Sequence, residues 1–276
     1  MELKVVSYQR ERALAIITLS RPQRRNAWTG RMHAEYRGCL AQADADPAVR
    51  VIIVTGNPEG QAFCVGADLG GLEKMSEQGE YDAGITEDIS RPGYGVHPAF
   101  DATFAYHFGL SKPIIAAING AAAGVGLVLA AFCDLRFAVQ GAKFTAAHGR
   151  FNFPVEYGLS WILPRLIGIT HANDLLLSSR VFTAEEAMEM GFLNKVLAAD
   201  ELLDHVCAYA QTMADTVSPG SLRETRRQIY TDQHRSLAEA VEDSERLIRE
   251  MARHPDYAEG VSAWMEKRVP EWSGDR

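Results

Sequence analysis

The stretch of chain from residue 113 to residue 133 contains no charged side chain and is the first candidate for a reaction site. Residues 114–118 predict a short buried strand, and Asn119-Gly120 predicts a tight turn. A loop of small residues at 121–126 then leads into an apolar helix that we expect to begin near Leu127. Small residues before a helix leave backbone N–H groups without partners, and the helix dipole adds to their attraction for negative charge. The stretch therefore predicts a place where an oxygen that becomes negative during a reaction is stabilised.

Three other interpretations of this stretch stay open when only its own residues are considered. Its length without charge is sufficient for a membrane span, although Pro113, the Asn119-Gly120 turn and the many alanines and glycines argue against one. Gly124-Val125-Gly126 resembles part of a dinucleotide-binding loop, but the third glycine of that motif is missing. A buried helix with close backbone packing and no ligand is the third interpretation.

Glu156 is the one carboxylate between Asp134 and the helix that the sequence predicts from residue 160. A lone glutamate in an apolar loop either faces solvent or acts as an acid/base group, because burying its charge without a purpose is costly. His148, earlier in the same segment, is either a second acid/base group or a residue that fills space. Asp68 is more consistent with a helix cap than with a reacting group.

The elements that must position these groups follow a repeated order. Segments 51–72 and 114–134 each contain a strand, a glycine-containing loop and a helix, which predicts a repeated ββα construction. The continuous apolar run at 51–55 is typical of a parallel strand covered on both faces. A hairpin is expected before them, with strands at 3–7 and 13–19.

Residues 73–101 form a polar insert, which we interpret as a loop beside the ligand site because it is too long for an ordinary connection. His97 lies in this insert and His107 follows it. We expect both histidines to face solvent rather than to bind a ligand.

The chain is nearly all helical from Asp200 onward. One predicted helix has an apolar stripe opposite a charged face, and its stripe consists of Leu237, Val241, Leu247, Ile248 and Met251. Helices with little sheet to cover often pack on another subunit, so we expect a homo-oligomer. We divide the chain into a ββα core with the ligand site at 1–199 and a C-terminal helical oligomerisation region at 200–276.

The composition excludes some classes of protein. A net charge of −8 argues against general nucleic-acid binding, which needs a basic face. The four cysteines are far apart and have no metal-ligand spacing, which indicates reduced thiols in a cytoplasmic protein and predicts no metal site. The first residues carry mixed charges and give no export signal.

Several segments together resemble the crotonase superfamily, the enoyl-CoA hydratase/isomerase family. The segments concerned are Leu19-Ser20-Arg21-Pro22 with Asn26-Ala27, the loop from Ala62 to Leu69, the stretch from Asn119-Gly120 to Cys133-Asp134, the segments Ser160–Gly168 and Gly191–Val196, and the tail from Asp256-Tyr257 to Lys267-Arg268. The resemblance implies an α/β fold, a crotonase-like spiral of ββα units with a C-terminal helical region, assembled as a homotrimer or a hexamer of two trimers. It implies an acyl-CoA substrate and no permanently bound cofactor, with coenzyme A entering as part of the thioester.

The resemblance also implies roles for single residues. The backbone N–H groups of Ala67 and Val125 match the positions that bind the thioester oxygen in this family, where Val125 replaces the usual glycine. The residues that we assign to the CoA part of the substrate are Arg25, Asp68, Leu69, Trp264 and Lys267. For Lys267, a solvated surface charge is the alternative.

The position of the first glutamate of typical hydratases in this family is occupied by Val128. A branch of the family that also lacks this glutamate has Glu-Tyr-Gly or Glu-His-Gly where this chain has Glu156-Tyr157-Gly158. The resemblance therefore implies an enzyme of fatty-acid metabolism that hydrates an enoyl-CoA with a single glutamate. Isomerisation, hydrolysis or dehalogenation by nucleophilic attack, and a catalytically silent acyl-CoA-binding scaffold are the alternatives.

Overall fold

The computed structural model describes residues 2–79 and 89–273, without the side chains of Leu69, Lys74 and Met75. The larger sheet in this part of the chain has six strands, and β1 and β2 are antiparallel while the remaining pairs are parallel. In their order across the sheet these are β1 (Val6–Glu11), β2 (Leu14–Leu19), β3 (Val51–Gly56), β5 (Ile114–Ile118), β7 (Leu135–Val139) and β10 (Lys195–Leu197). Every residue of β3 and β5 is buried, as expected for strands covered on both faces.

A smaller sheet lies beside the first one. Its strands, in order, are β4 (Ala62–Cys64), β6 (Ala121–Ala123), β8 (Lys143–Thr145) and β9 (Phe182–Thr183). From β3 to β8 consecutive strands alternate between the two sheets, and the pairs β3/β4 and β5/β6 are each followed by a helix. These helices are α2 (Leu69–Gln78) and α3 (Val125–Ala131). The predicted repetition of ββα units is therefore confirmed.

The helices begin and end at residues suited to those positions. Thr29 caps α1 (Gly30–Ala45) by accepting a hydrogen bond from the Met32 N–H at 3.1 Å. The long helix α4 (Leu159–Ser178) is interrupted at Gly168, where φ is +75°, and this residue divides it into two helical segments. A capping box of Thr183 and Glu186 opens α5 (Ala184–Glu189).

The C-terminal region consists of α6 (Leu202–Thr216), α7 (Pro219–Thr231), α8 (Leu237–Met251) and α9 (Pro255–Glu266). Helix α6 buries Leu202, Val206 and Ala210 against the larger sheet, so this first helix after residue 200 belongs to the core packing. Helix α7 is tied to the core through the buried guanidinium of Arg226, which pairs with Asp134 at 2.9 Å. The packing of the described residues therefore shows no boundary at 199/200. The assignment of residues 200–276 to oligomerisation stays a prediction.

Several expectations from the sequence were wrong in detail. The first strand begins at Val6 rather than residue 3 and continues through the expected turn to Glu11, because all six residues pair with β2. Residues 121–123, expected as a loop, form β6, and α3 begins at Val125 instead of Leu127. Among the described residues, none of the helices has the length and apolar character needed to span a bilayer.

His107 is not solvent-facing: it is completely buried, and burial lowers its pKa to about 3. Its ring lies 3.1 Å from the Tyr36 hydroxyl and 3.2 Å from the Phe132 carbonyl oxygen, so it is a neutral core residue. His97 is half-buried at the start of a short 3₁₀ segment. The expected loop over 73–101 was wrong at its start, because α2 continues to Gln78. The central residues of the insert, 80–88, lie outside the described part of the chain.

Candidate functional site

Two glycine loops approach each other at the edge of the smaller sheet. One follows β4 and contains Gly66, and the other follows β6 and contains Gly124. A Cβ atom on Gly66 would lie 3.1 Å from the Ala123 carbonyl oxygen and 3.8 Å from the Gly124 Cα atom. Both glycines have positive φ values, +94° and +47°, which side chains disfavour. The sequence therefore brings two separate turns of main chain into contact.

The first loop is held in place by Trp28. The Trp28 N–H donates to the Gly66 carbonyl oxygen at 2.7 Å, and the Asp68 N–H donates to the Trp28 carbonyl oxygen at 3.0 Å. These two bonds pair Trp28 with Ala67 as an isolated bridge. Within the described residues the N–H group of Ala67 has no hydrogen-bond partner. It is a free donor on a fixed piece of backbone.

The second loop is held by its neighbours in the smaller sheet. The Gly124 N–H donates to the Thr145 carbonyl oxygen at 3.0 Å, and the Gly124 carbonyl oxygen accepts from Val128 at 3.0 Å. Val125 is the first residue of α3, so its N–H has no partner within the helix, and the rest of the described chain supplies none. Because Val125 has helical backbone geometry, its side chain needs no unusual φ at this position.

Glu156 lies beside this pair of loops. Its Oε2 atom is 3.7 Å from the point where a Cβ atom on Gly124 would stand. The carboxylate is half-buried and makes no hydrogen bond or ion pair with the described residues, and burial raises its pKa above the ordinary glutamate value. Its backbone is fixed at the start of α4, where the Leu159 N–H donates to the Glu156 carbonyl oxygen at 2.9 Å.

Two further positions that the sequence singles out lie in the same region. His148 is buried in the 3₁₀ segment His148–Phe151, two residues after Ala146, whose carbonyl oxygen is 4.0 Å from the Cβ position of Gly124. Its imidazole makes no hydrogen bond with the described residues. Val128 lies within α3 and is 1% exposed. Because its side chain is a hydrocarbon, this position supplies no acid or base.

The residues assigned to CoA fall into two groups. Arg25 and Asp68 lie near the first loop: Arg25 is exposed, and Asp68 pairs with Arg21 at 2.9 Å and accepts from the Gly70 N–H. Burial alone would raise the pKa of Asp68, but Arg21 and the Gly70 N–H lower it, so the carboxylate stays charged. Leu69 opens α2, and its side chain lies outside the described residues.

Trp264 and Lys267 form the second group, at the end of α9. Trp264 is 86% exposed, and Lys267 is an exposed residue with φ of +55° that ends the helix. Within the described residues no hydrogen bond or ion pair joins α9 to the loops at Ala67 and Val125. The structure of one chain therefore does not bring these two residues to the others.

Some residues around the site were missed in the sequence. Trp28 orders the first loop, and Asn119 joins the two ββα units because its amide exchanges hydrogen bonds with the backbone of Gly56 at 3.1 and 2.8 Å. The dense aromatic segment from Phe100 to Phe108 is visible in the sequence as a signal, but its packing beside Tyr157 is visible only in three dimensions.

Known proteins resemble this chain over nearly its whole length. The enoyl-CoA hydratase/isomerase family profile matches residues 9–275. A 1,2-epoxyphenylacetyl-CoA isomerase of Escherichia coli strain K12 is 31% identical over 266 residues, 96% of each chain. A probable enoyl-CoA hydratase of Mycobacterium leprae is 33% identical over 273 residues, 98% of this chain and 96% of the relative.

Solved structures of the same kind superpose on nearly the whole chain. A probable enoyl-CoA hydratase/isomerase from Mycobacterium abscessus gives a TM-score of 0.84 at 30% identity and covers 98% of this chain and 99% of its own. An enoyl-CoA hydratase from Bacillus anthracis gives 0.86 at 27% identity and covers 99% and 100%. Alternating strands in two sheets, followed by C-terminal helices, therefore define a crotonase-type fold. The chain belongs to the enoyl-CoA hydratase/isomerase family and is an enzyme of that type.

Proposed function

We propose that this enzyme isomerises an enoyl-CoA by moving one proton between two carbon atoms of the acyl group. The observation behind this choice is that Glu156 is an unpaired carboxylate beside the two loops, while Val128 offers no second carboxylate. One base that removes a proton and returns it as an acid is sufficient for isomerisation. Hydration, the preferred expectation from the resemblance, usually uses two such groups in this family.

In the proposed reaction, the thioester carbonyl oxygen accepts hydrogen bonds from the N–H groups of Ala67 and Val125. The Glu156 carboxylate removes a proton from the carbon next to the carbonyl, and the electron pair moves onto the oxygen to form a dienolate. The two N–H donors stabilise this negative oxygen. The protonated Glu156 then returns the same proton to the far carbon of the dienolate, which shifts the double bond and regenerates the carboxylate.

Hydration is the second candidate, and His148 is the observation that favours it. Its imidazole is buried near the second loop and has no hydrogen-bond partner among the described residues, so it is available as a second acid/base group. In that case a His148→Gln variant loses hydration of a 2-enoyl-CoA, whereas isomerisation of a 3-enoyl-CoA by Glu156 alone survives.

Replacement of Glu156 tests the proposal directly. We expect Glu156→Gln to lower kcat for isomerisation of 3-enoyl-CoA by about 10²–10⁴-fold, because the acid/base group is lost, with little change in the Kd of a saturated acyl-CoA. Glu189→Gln, which removes an exposed carboxylate at the end of α5, is the matched control and should keep full activity. Full activity of Glu156→Gln would overturn the assignment. Free CoA among the wild-type products would instead indicate hydrolysis.

We also propose that the chain works in the cytoplasm as a homotrimer or a hexamer of two trimers. The exposed apolar face of α8 and the exposed Trp264 and Met265 of α9 support an assembly that covers them. The four cysteines are free thiols, as in reducing compartments. In such an assembly, Trp264 and Lys267 would contact the CoA of a neighbouring subunit, while Arg25, Asp68 and Leu69 would contact that of their own.

A further inference from the structure

A cavity of about 440 Å³ is lined by Tyr157, the residue after Glu156, and by Phe132, which follows α3 at its end remote from the two loops. Its walls are formed mainly by aromatic rings. The rings concerned are those of Phe100, Phe108, Phe132, Tyr157, Trp161 and His234. No Asp, Glu, Lys or Arg among the described residues lines it. The cavity is therefore an uncharged space whose surface is dominated by π-systems.

Four of these rings contact one another in a closed cycle. The distances between ring centroids are 5.9 Å for Phe100–Phe108, 6.5 Å for Phe108–Trp161, 5.7 Å for Trp161–His234 and 6.0 Å for His234–Phe100. The orientations vary from parallel for Trp161–His234, at 4°, to perpendicular for Phe100–Phe108, at 79°. A ring placed in the cavity would thus meet both faces and edges of its neighbours.

The cavity is connected to the candidate site through three chain segments. Tyr157 directly follows Glu156, and Phe132 directly follows α3, whose first residue is Val125. The distance along the helix from Val125 to Phe132 is about 10 Å. The ring of Phe104 joins Tyr157 to Trp28, with centroid distances of 5.4 and 5.6 Å. The cavity is therefore lined both by the residue next to Glu156 and by the residue that follows α3.

We propose that this cavity receives an uncharged aromatic ring at the far end of the acyl group, so that the substrates are aryl-substituted enoyl-CoA thioesters. This inference rests on the proposed function for the place of the thioester carbonyl. Aromatic pairs in offset or edge-to-face geometry gain more than their buried area alone provides. A saturated alkyl chain of equal carbon number gains only from burial.

Among the described residues, the cavity wall offers no charged partner to an ionic acyl group. A carboxylate at the end of the acyl group would lose its hydration without finding a partner in the cavity wall. The Arg165 guanidinium stacks on the Trp161 ring, 3.8 Å from the ring centroid, and adds a positive charge next to this wall. The pKa of His234 is lowered by burial and by the charges of His97 and Arg165, so this wall residue is a neutral ring at neutral pH.

The experiment compares three saturated CoA thioesters by calorimetry: phenylpentanoyl-CoA, undecanoyl-CoA, which has the same number of carbon atoms, and a thioester that ends in a trimethylammonium group. The undecanoyl chain has the larger apolar area, so burial alone predicts that it binds more tightly. We expect phenylpentanoyl-CoA to bind about tenfold more tightly than undecanoyl-CoA, which corresponds to about 1.4 kcal/mol. Equal or tighter binding of the alkyl or the cationic thioester would overturn the inference.

Two variants identify the cavity as the source of this preference. Trp161→Leu and His234→Leu each replace a ring of the cycle by an apolar side chain, and each should reduce the preference to about threefold or less. His234 is exposed on its outer side, so its replacement is compatible with folding even if that of Trp161 is not. Tyr209→Leu, on the outer face of α6, is the control and should keep the full preference. An undiminished preference in both cavity variants would place the ring elsewhere and refute the inference.

The outcome is independent of the test of Glu156. The thioesters are saturated and cannot be isomerised, so they report on the cavity even if the enzyme proves to catalyse another reaction. Isomerisation of 3-enoyl-CoA without any preference for an aryl group would refute the aromatic substrate class and leave the proposed function intact.

Discussion

Glu156 and Glu35 are two carboxylates of this chain in opposite environments. The Glu35 carboxylate accepts hydrogen bonds from the N–H groups of Lys4, Val5 and Val6 and from Arg31, and these bonds lower its pKa in spite of its burial. Glu35 is therefore a charged carboxylate that holds the N-terminal segment through these hydrogen bonds. Glu156 has no such partners, and burial raises its pKa, which makes it a stronger base and a better proton carrier near neutral pH.

The raised pKa of Glu156 predicts the pH dependence of activity. The group must be ionised to remove a proton, so kcat/KM is expected to fall as the pH decreases through a midpoint above the ordinary glutamate value of 4.5. A pH–rate profile with a 3-enoyl-CoA measures this midpoint. A midpoint at or below 4.5 would contradict the assignment of Glu156 as the base.

The same shift has a consequence for stability. In the window between the unfolded and the raised folded pKa, the folded state binds more protons than the unfolded state, so the free energy of unfolding falls as the pH rises. Glu156→Gln removes the titrating carboxyl group and therefore this decrease in the free energy of unfolding. The variant is expected to be at least as stable as the wild type at pH 7 in urea unfolding, and a marked destabilisation would indicate that the carboxylate has a structural partner.

Helix α3 is positioned by a close approach of backbone. A Cβ atom on Gly126 would lie 2.0 Å from the Cys64 carbonyl oxygen, so the first turn of α3 packs directly on β4. This contact sets the position of the Val125 N–H relative to the first loop. The geometry of the site therefore depends on the absence of a side chain one residue away from the proposed donor.

Gly126→Ala should be one of the most damaging small substitutions in the chain. The added methyl group forces α3 away from β4, and we expect the free energy of unfolding to fall by about 3 kcal/mol, together with a loss of activity. Gly71→Ala, in α2 with no neighbour within 4 Å, is the control and should be neutral or slightly stabilising. Urea unfolding of both variants distinguishes crowding against Cys64 from a general effect of alanine in a helix. A stable, active Gly126→Ala protein would refute the close contact between Gly126 and Cys64.

Arg226 joins α7 to the segment that holds the aromatic cavity. Its guanidinium donates to the carbonyl oxygens of His107, Phe108 and Leu110 and to the Asp134 carboxylate, which also accepts a hydrogen bond from the Tyr230 hydroxyl. The side chain is 4% exposed. These bonds fix the backbone on one side of the cavity from a helix in the C-terminal region.

Arg226→Leu removes the buried cation that pairs with Asp134 and the donor that binds three carbonyl groups. We expect the free energy of unfolding to fall by about 3 kcal/mol, as for other broken buried ion pairs. Arg246→Leu removes a surface arginine that pairs with Asp243 and Glu250 on α8, and it should cost less than about 1 kcal/mol. Both variants are measured by chemical denaturation. If Arg226→Leu also lowers the free energy of unfolding by less than about 1 kcal/mol, the buried network adds no stability beyond that of a surface ion pair.

The molecule as a whole has an apolar surface that one chain does not cover. Leu237 and Ile248 of α8 are 82% and 68% exposed, and Trp264 of α9 is 86% exposed. The apolar stripe that the sequence predicts on α8 is therefore present, but only Leu247 of the stripe is buried within the chain. An exposed apolar surface of this kind is typical of an interface.

Ile248→Glu tests whether this surface joins subunits. We expect the wild type to have the mass of a trimer or a hexamer in light scattering and the variant to have a lower mass, because a charge on the interface is costly to bury. Glu242→Lys, on the polar face of the same helix, should leave the mass unchanged. A monomeric wild type at micromolar concentration would refute the proposed assembly.

The sequence by itself determined the repeated ββα order, the amphipathic α8 and the lone carboxylate at Glu156. These features depend on local periodicity and on single residue types, which can be read along the chain. The crotonase fold that the motifs imply is confirmed by the comparisons. Local patterns did not predict the limits of β1 or the existence of β6. Both depend on hydrogen bonding to a neighbouring strand, which the local sequence does not contain.

Only the tertiary structure decided which distant groups meet. The contact between Gly66 and Gly124, the position of Glu156 beside them and the burial of His107 result from the packing of separate ββα units. The closed cycle of Phe100, Phe108, Trp161 and His234 likewise combines residues from four segments. No periodicity encodes such contacts, because they are fixed by how two twisted sheets and their helices fill space together.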